Sequence, residues 1–451
     1  MTAWTWRKRV KRRVSQLRLS PPTILIGGYA LLVATGAALL KLPPMLTAPL
    51  NWTDAIFTSA SAVTVTGLGV VDTGQHFTIY GQAVLMVLIQ LGGLGLMTTA
   101  VFVFALLGVK MPIRHQLILS DDLNHNNLGG LLELAAAILK IVVVIEVIGT
   151  VLLSIRFVPE MGLAHGLWSA LFHSISAFNN AGFSLYSDSL ARWVGDPLIN
   201  LTIPMLFVIG GLGFTVIVDL YSKRSWHSLT LHSKLMLAGT AGLIFWSVSG
   251  FMILEWTNHE TLAGLPHLSD KFFASWFQAL TTRTAGFATL DIAKLRDSTT
   301  LLLISLMLIG GGPTSTAGGL KVTTFVVLLL ATYSFLKRKE QISVFSRSIP
   351  ADQILKVLAL VTLSLMILLT ATFMVLAFSH KPFLDVLFEV SSAFGTVGLS
   401  RNFTSELDPV SRLVIVAVMF IGRVGPLLLG FFIATTHRSR VRYPTAEINL
   451  G

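Results

Sequence analysis

Long apolar runs and short polar stretches follow one another in the same order four times along this chain. Each unit opens with an apolar run of about 20 residues, enough for a helix to cross a bilayer. A shorter apolar segment comes next, then a polar stretch holding one key glycine, then a second long run. In the first unit the opening run is 22–42 and ends at Pro43-Pro44, the short segment is 53–63, and the second run is 79–109. Segment 53–63 cannot cross as a helix. It predicts a re-entrant half-helix that dips in and stops, with Asp54 placed to cap its start. The same unit fits 131–221, 230–336 and 353–436, with half-helices predicted at 165–178, 270–282 and 382–394. The expectation is an all-α membrane protein of eight transmembrane helices and four re-entrant loops. Its units are 22–110, 131–221, 230–336 and 353–436, between tails 1–21 and 437–451.

The polar stretches are Thr64-Val65-Thr66-Gly67, Asn179-Asn180-Ala181-Gly182, Arg283-Thr284-Ala285-Gly286 and Gly395-Thr396-Val397-Gly398. Ten residues before each final glycine stands an aromatic: Phe57, Phe172, Trp276 and Phe388. Successive glycines lie 115, 104 and 112 positions apart, which marks an internal repeat. Two runs per unit is an even number, so all four units point the same way and can surround one axis. An inverted-repeat transporter would alternate instead.

Composition agrees. Of 451 residues, 53% are hydrophobic and 12% charged, about half the charge of a soluble protein. The chain has no cysteine, which removes disulfides and thiolate metal sites. A net charge of +11 would suit nucleic acid if it were spread over one face. Instead it gathers in the N-terminal tail (Arg7, Lys8, Arg9, Lys11, Arg12, Arg13 and Arg18), around Lys337–Arg347, and at Arg438, Arg440 and Arg442. All three clusters sit beside apolar runs, as cytoplasmic segments do under the positive-inside rule. Both termini and the linkers are therefore expected in the cytoplasm, with no nucleic-acid partner, and the basic tail can touch anionic lipid headgroups. The run 22–42 is too long for the apolar part of a signal peptide and is expected to be retained as the first span.

Non-helical backbone is tolerated at membrane depth only where protein buries it or water reaches it. Four such loops converging on an axis turn carbonyl oxygens inward, where they can replace the hydration shell of a cation. Glycine permits the backbone angles this needs. The C-terminal ends of the half-helices add partial negative charge.

These stretches carry a resemblance. Thr396-Val397-Gly398 repeats the T-V-G of potassium-channel filters, and the whole set resembles the Trk/Ktr/HKT superfamily of potassium transporters, within it the membrane subunits of bacterial Ktr systems. The resemblance covers about 20–440. It implies K+ bound at the filter carbonyls of Thr64 to Gly67, Asn179 to Gly182, Arg283 to Gly286 and Gly395 to Gly398, possible use of Na+, and location in the bacterial inner membrane. It also implies a homodimer with one pore per subunit and a separate cytoplasmic RCK subunit that binds ATP or ADP. Each filter loop has a single glycine rather than a G-Y-G, so fewer carbonyl rings and looser selectivity than a true channel are expected. In the loop 283–286, Arg283 is expected to brace the filter, because a cation pore would repel it.

Each second run also carries glycines: Gly92-Gly93-Leu94-Gly95, Gly210-Gly211-Leu212-Gly213, Gly310-Gly311-Gly312 and Gly422-Arg423-Val424-Gly425. In the first two copies these read as close helix packing. In the third, Gly310-Gly311-Gly312-Pro313-Thr314-Ser315-Thr316-Ala317-Gly318-Gly319-Leu320-Lys321 cannot sustain a helix. Two helical pieces joined by a polar loop beneath the filter are expected. The segment resembles the superfamily's intramembrane gating loop, and Arg423 resembles the arginine facing it; an intramembrane Arg is itself a functional signal. Deleting 311–318 is expected to free the flux from partner control with selectivity retained.

No Walker A, H-E-x-x-H or nucleophile–base set is present, so an enzyme is not expected. The competing reading is a secondary permease for a small polar solute, with the glycine-broken helices around a central site. Parallel units weigh against it.

Overall fold

The computed structural model describes residues 21–95, 131–339 and 341–426. The expectations for tails 1–20 and 437–451, for the linker 110–130 and for the far ends of runs 79–109 and 353–436 lie outside the described residues. Within them the fold is helical, apart from a hairpin pairing Ser343–Val344 with Arg347–Ser348.

Helices α1 (Pro21–Leu40), α2 (Trp52–Val63) and α3 (Ile79–Leu94) form the first group. The second is α4 (Leu131–Met161), α5 (Leu163–Phe178), α6 (Pro197–Leu212) and α7 (Phe214–Lys223). Next come α8 (Leu231–Glu255), α9 (Leu268–Thr281), α10 (Asp297–Met307) and α11 (Val322–Leu336). The last are α12 (Ala351–Phe378), α13 (Phe383–Gly395) and α14 (Pro409–Val424). The half-helices α2, α5, α9 and α13 fall within two residues of the expected ranges.

Three stretches among the described residues are long and apolar enough to cross a membrane: Ala136–Met161, Leu231–Glu255 and Ala351–Phe378. Less than a third of each is buried inside the protein. On α4 the exposed side chains include Val143, Val144, Val147, Ile148 and Val151. An apolar face of that extent belongs in lipid rather than water.

The starts of three helices that follow the half-helices are locally determined. Thr78, Asp196 and Asp408 cap α3, α6 and α14, each accepting a hydrogen bond from backbone N–H groups of the first turn. The half-helices differ. At α2 the cap is Asn51, without a side-chain bond, and Asp54 sits inside the first turn, where its charge suits the helix dipole and where Arg412 pairs with it. The capping role expected of Asp54 is thus a correction: the helix starts two residues before it. Asp385 holds the matching place on α13, 2.7 Å from Arg401.

The second runs are not continuous. Helix α3 stops at Gly95 (φ +81°), α6 at Gly213 (φ +98°) and α14 at Gly425 (φ +96°). Their ψ values of 134–145° complete a conformation that essentially only glycine adopts. Between α6 and α7 the axis turns by 94°. Close packing, expected for the first two copies, holds for the first glycine of each run. A Cβ on Gly92, Gly210 or Gly422 would strike the carbonyl of Val63, Phe178 or Phe394, at the end of the half-helix in the same unit. The last glycine ends the helix, and at Gly213 it bends the chain, which the packing reading omits. Gly213→Ala should therefore destabilise the fold by about 1–3 kcal/mol through backbone strain, read as a lower melting temperature in detergent. An unchanged melting temperature would mean that the bend does not depend on glycine.

Candidate cation pathway

Each half-helix ends in a tight backbone return. The N–H of Thr66, Ala181 and Val397 donates to Ser61, Ser176 and Ser392 O at 2.8 Å, and Ala285 N–H donates to Thr281 O at 2.9 Å. Hydroxyls fix the next residues. Ser61 and Ser392 Oγ accept from Gly67 and Gly398 N–H at 3.0 Å. Ser176 Oγ and Thr281 Oγ1 donate to the carbonyls of Phe183 and Phe287. The aromatics ten residues upstream support this from behind: Phe57, Phe172 and Phe388 are buried, and Trp276 is partly so.

The returns share one backbone pattern. Gly67, Gly182, Gly286 and Gly398 have φ of +88°, +67°, +77° and +93°. Two residues earlier, Val65, Asn180, Thr284 and Thr396 have φ of +51°, +58°, +66° and +51°. Positive φ at non-glycine residues costs about 1–3 kcal/mol and persists only where the surroundings over-determine it. Here it recurs four times at one position, separated from the glycine by a residue of ordinary φ. Alternating backbone hands turn successive carbonyls toward the same side.

The four glycines meet in a closed ring. A Cβ on Gly67 would lie 3.1 Å from Gly182 Cα, and one on Gly182 would lie 2.9 Å from Gly286 Cα. One on Gly286 would lie 3.3 Å from Gly398 Cα, and one on Gly398 would lie 3.0 Å from Gly67 Cα. Each would also clash with the carbonyl preceding the next glycine: Ala181, Ala285, Val397 and Thr66 O in turn. The order around the ring is the order along the chain. All four glycines floor one cavity of about 560 Å³. Among the described residues its lining includes Asp72, Asp188 and Asp291 and no Lys or Arg. A cleft lined by one sign of charge concentrates the opposite ion, here a cation.

The side chains of the expected filter residues have diverse duties. Thr64 and Thr66 hydroxyls bond to each other at 2.8 Å. Arg283 is buried and aims away, donating from Nη2 to Leu306 O at 2.9 Å near the C-terminal end of α10. Only its backbone belongs to the return. Asn179 Nδ2 donates to Gln90 Oε1 at 2.8 Å and Glu146 Oε1 at 3.1 Å. Glu146, on the long apolar α4, thus holds a half-helix end from behind. The sequence offered only an isolated charge in an apolar run, because its partners are 33 or more residues away. Glu146→Ala should lower the melting temperature, since it removes a buried acceptor of Asn179 Nδ2, and a hydrogen bond of this kind contributes about 0.5–1.5 kcal/mol. Glu146→Gln, which keeps an acceptor, should not; equal melting of both variants would contradict the assignment. His173 and Glu389, each nine residues before its glycine, reach Ser184 and Ser400 at 3.0 and 2.8 Å. Both are buried and tie the half-helix to the residue two beyond the glycine.

Beneath the ring, α10 ends at Met307 and α11 begins at Val322, with residues 308–321 as the connecting loop. Its ends are stitched: Gly310 N–H donates to Leu320 O at 2.7 Å and Val322 N–H to Gly311 O at 3.0 Å. Gly312 N–H donates to Gly211 O at 2.7 Å, and Thr314 O accepts from Phe214 N–H at 3.0 Å, so the loop seats on the α6–α7 bend. Ser315 Oγ donates to Gly312 O, and Lys321 Nζ to Ala317 O at 2.7 Å. Gly319 N–H donates to Gly422 O at 3.2 Å. Pro313 has no N–H to give a helix, and its carbonyl lies 2.5 Å from where a Cβ on Gly213 would stand. Arg423 Nη1 donates to Thr316 O, and its Nη2 to Gly92 O and, at 3.0 Å, to Gly93 O. One guanidinium therefore joins the loop to the end of α3.

Three comparisons bear on this arrangement. The family TrkH, described as cation transport protein, matches residues 5–439. The chain is 46% identical to Ktr system potassium uptake protein B of Bacillus subtilis, over 97% of this chain and 98% of that one. It is 42% identical to the protein of the same name from Vibrio alginolyticus, over 95% of each. It is 36% identical to potassium/sodium uptake protein NtpJ of Enterococcus hirae, over 98% and 99%. The crystal structure of the potassium transporter TrkH from Vibrio parahaemolyticus superimposes with a TM-score of 0.74 at 20% identity, covering 93% of this chain and 86% of that one.

Proposed function

Because the chain belongs to the TrkH family of cation transport proteins, we propose that it is a potassium uptake protein whose path runs through the ring of Gly67, Gly182, Gly286 and Gly398. The closed ring carries this reading: four backbone segments of one geometry, floored with carbonyls and approached through an acidic mouth. Uptake of potassium is named in the Bacillus and Vibrio relatives. Units 22–110, 131–221, 230–336 and 353–436, with eight spans between cytoplasmic termini in the bacterial inner membrane, describe how the chain surrounds the path. The 308–321 loop with Arg423 is its gate. A cytoplasmic RCK subunit that binds ATP or ADP moves that gate, and the protein works as a homodimer. The word "system" in the relatives' names supports a second component. Sodium is a possible second ion, since the Enterococcus relative is named for both.

The test is uptake of rubidium, a potassium tracer, by the purified chain in proteoliposomes, with growth of a potassium-uptake-deficient bacterium alongside. Tracer uptake competed by potassium and not by small neutral solutes supports the reading. Transport of a polar solute with no rubidium uptake would support the permease instead.

A further inference from the structure

The loop beneath the ring does more than lie across the path: its polar groups are bonded to the ring's own strained residues. Thr316 Oγ1 donates to Asn180 Oδ1 at 2.7 Å. Asn180 Nδ2 then donates to Arg283 O at 3.0 Å and Thr284 Oγ1 at 3.1 Å, so one amide joins the loop to two of the four returns. Gly318 N–H donates to Thr396 Oγ1 at 3.1 Å, in a third return. Packing is as close: a Cβ on Gly319 would lie 3.2 Å from Gly395 Cα, and one on Gly310 would lie 3.4 Å from Thr284 Cγ2. Asn180 and Thr396 are the residues held at φ +58° and +51°, two before the ring glycines. A left-handed non-glycine residue keeps its angle only while its surroundings impose it, and here part of those surroundings is the loop.

We propose that loop 308–321 is part of the selectivity apparatus, with Asn180 and Thr396 as specificity-determining residues that require Thr316 and Gly318 in place. The proposal rests on the reading of the ring as a cation filter and of the loop as its gate. When the loop leaves, Asn180 Oδ1 and Thr396 Oγ1 each lose a donor, and three returns relax together. A displaced loop therefore leaves a filter that discriminates less among cations. Linkage makes the effect reciprocal: the cation that fits the braced ring holds the loop down, by the same factor by which the seated loop favours that cation. This departs from the separation of filter and loop that the sequence alone suggests. Deleting 311–318 should raise flux and also lower the preference for potassium.

The chain has no cysteine, so Ser315→Cys places a single thiol on the loop, with Thr314→Cys as a second reporter. The full-length protein in proteoliposomes is treated with a charged thiol reagent in potassium, sodium or choline. Coupling factors in proteins start at about fivefold. Modification should be slower by at least about that factor in potassium than in choline. The difference should vanish when Thr316→Val and Thr396→Val are added, and Thr316→Ser, which keeps the hydroxyl, should preserve it. Thr316→Val alone should raise sodium uptake relative to potassium by a similar factor. Cation-independent modification in a reporter that still takes up potassium overturns the coupling and leaves the transport reading standing. So does an unchanged ion preference in Thr316→Val. No potassium or rubidium uptake by the wild-type chain overturns the transport reading, and the coupling with it.

Discussion

Serine in place of Gly67 should lower the preference for potassium over sodium about tenfold, the largest selectivity change expected of any single substitution. Two effects act together. Gly67 has φ +88°, where a side chain adds about 1–3 kcal/mol of strain. The new Cβ would also clash with Ala181 O and stand 3.1 Å from Gly182 Cα. Ala181 O is one of the four carbonyls that the ring presents, so the clash is relieved by moving an oxygen expected to face the ion. A displacement worth about 1.4 kcal/mol between the two cations is a factor of ten. The measurement is rubidium uptake in proteoliposomes competed by potassium and by sodium. Wild-type competition in a correctly folded variant would show that Gly67 does not line the path.

Arg423→Ala should raise uptake by about ten- to a hundredfold in the absence of any partner. Its guanidinium makes three hydrogen bonds to backbone carbonyls, one on the loop and two at the end of α3. Hydrogen bonds to a charged group contribute about 1.5–3 kcal/mol each. Losing the one on the loop shifts a seated-versus-displaced equilibrium by about the stated range. Arg423→Lys, a point donor in place of a planar fork, cannot reach both sides and should fall between. Unchanged uptake by Arg423→Ala in the membrane would mean that this contact does not restrain the loop. Because the loop also braces Asn180 and Thr396, part of the ion preference should be lost with it.

Much of this architecture could be read from the residues. The half-helices were legible because a short apolar segment before a polar stretch with one glycine recurs four times, and repetition turns a weak local signal into a strong one. The break at 310–321 was legible because Pro313 and the glycines around it leave a helix no alternative. The stop at Gly95 and the bend at Gly213 were not, because a glycine packed against a neighbour and a glycine at positive φ look identical in sequence. Asp54 was misplaced as a cap for a similar reason: the residue at which a helix starts is set by backbone geometry, and Arg412, its partner, is more than 350 positions away. Partners explain the other omissions as well. Glu146 and Gln90 are ordinary polar interruptions of apolar runs until the fold brings both to Asn179. The bond between Thr316 and Asn180 crosses 136 positions, and no local pattern announces it.

The central claim is that one cation pathway passes through the four glycines. Anomalous diffraction from crystals of the protein soaked in rubidium tests it most directly. The account predicts a peak on the axis of the ring, within coordination distance of the carbonyls of Thr66, Ala181, Ala285 and Val397. Ordered rubidium elsewhere in the membrane-embedded part, with the ring empty, would contradict it.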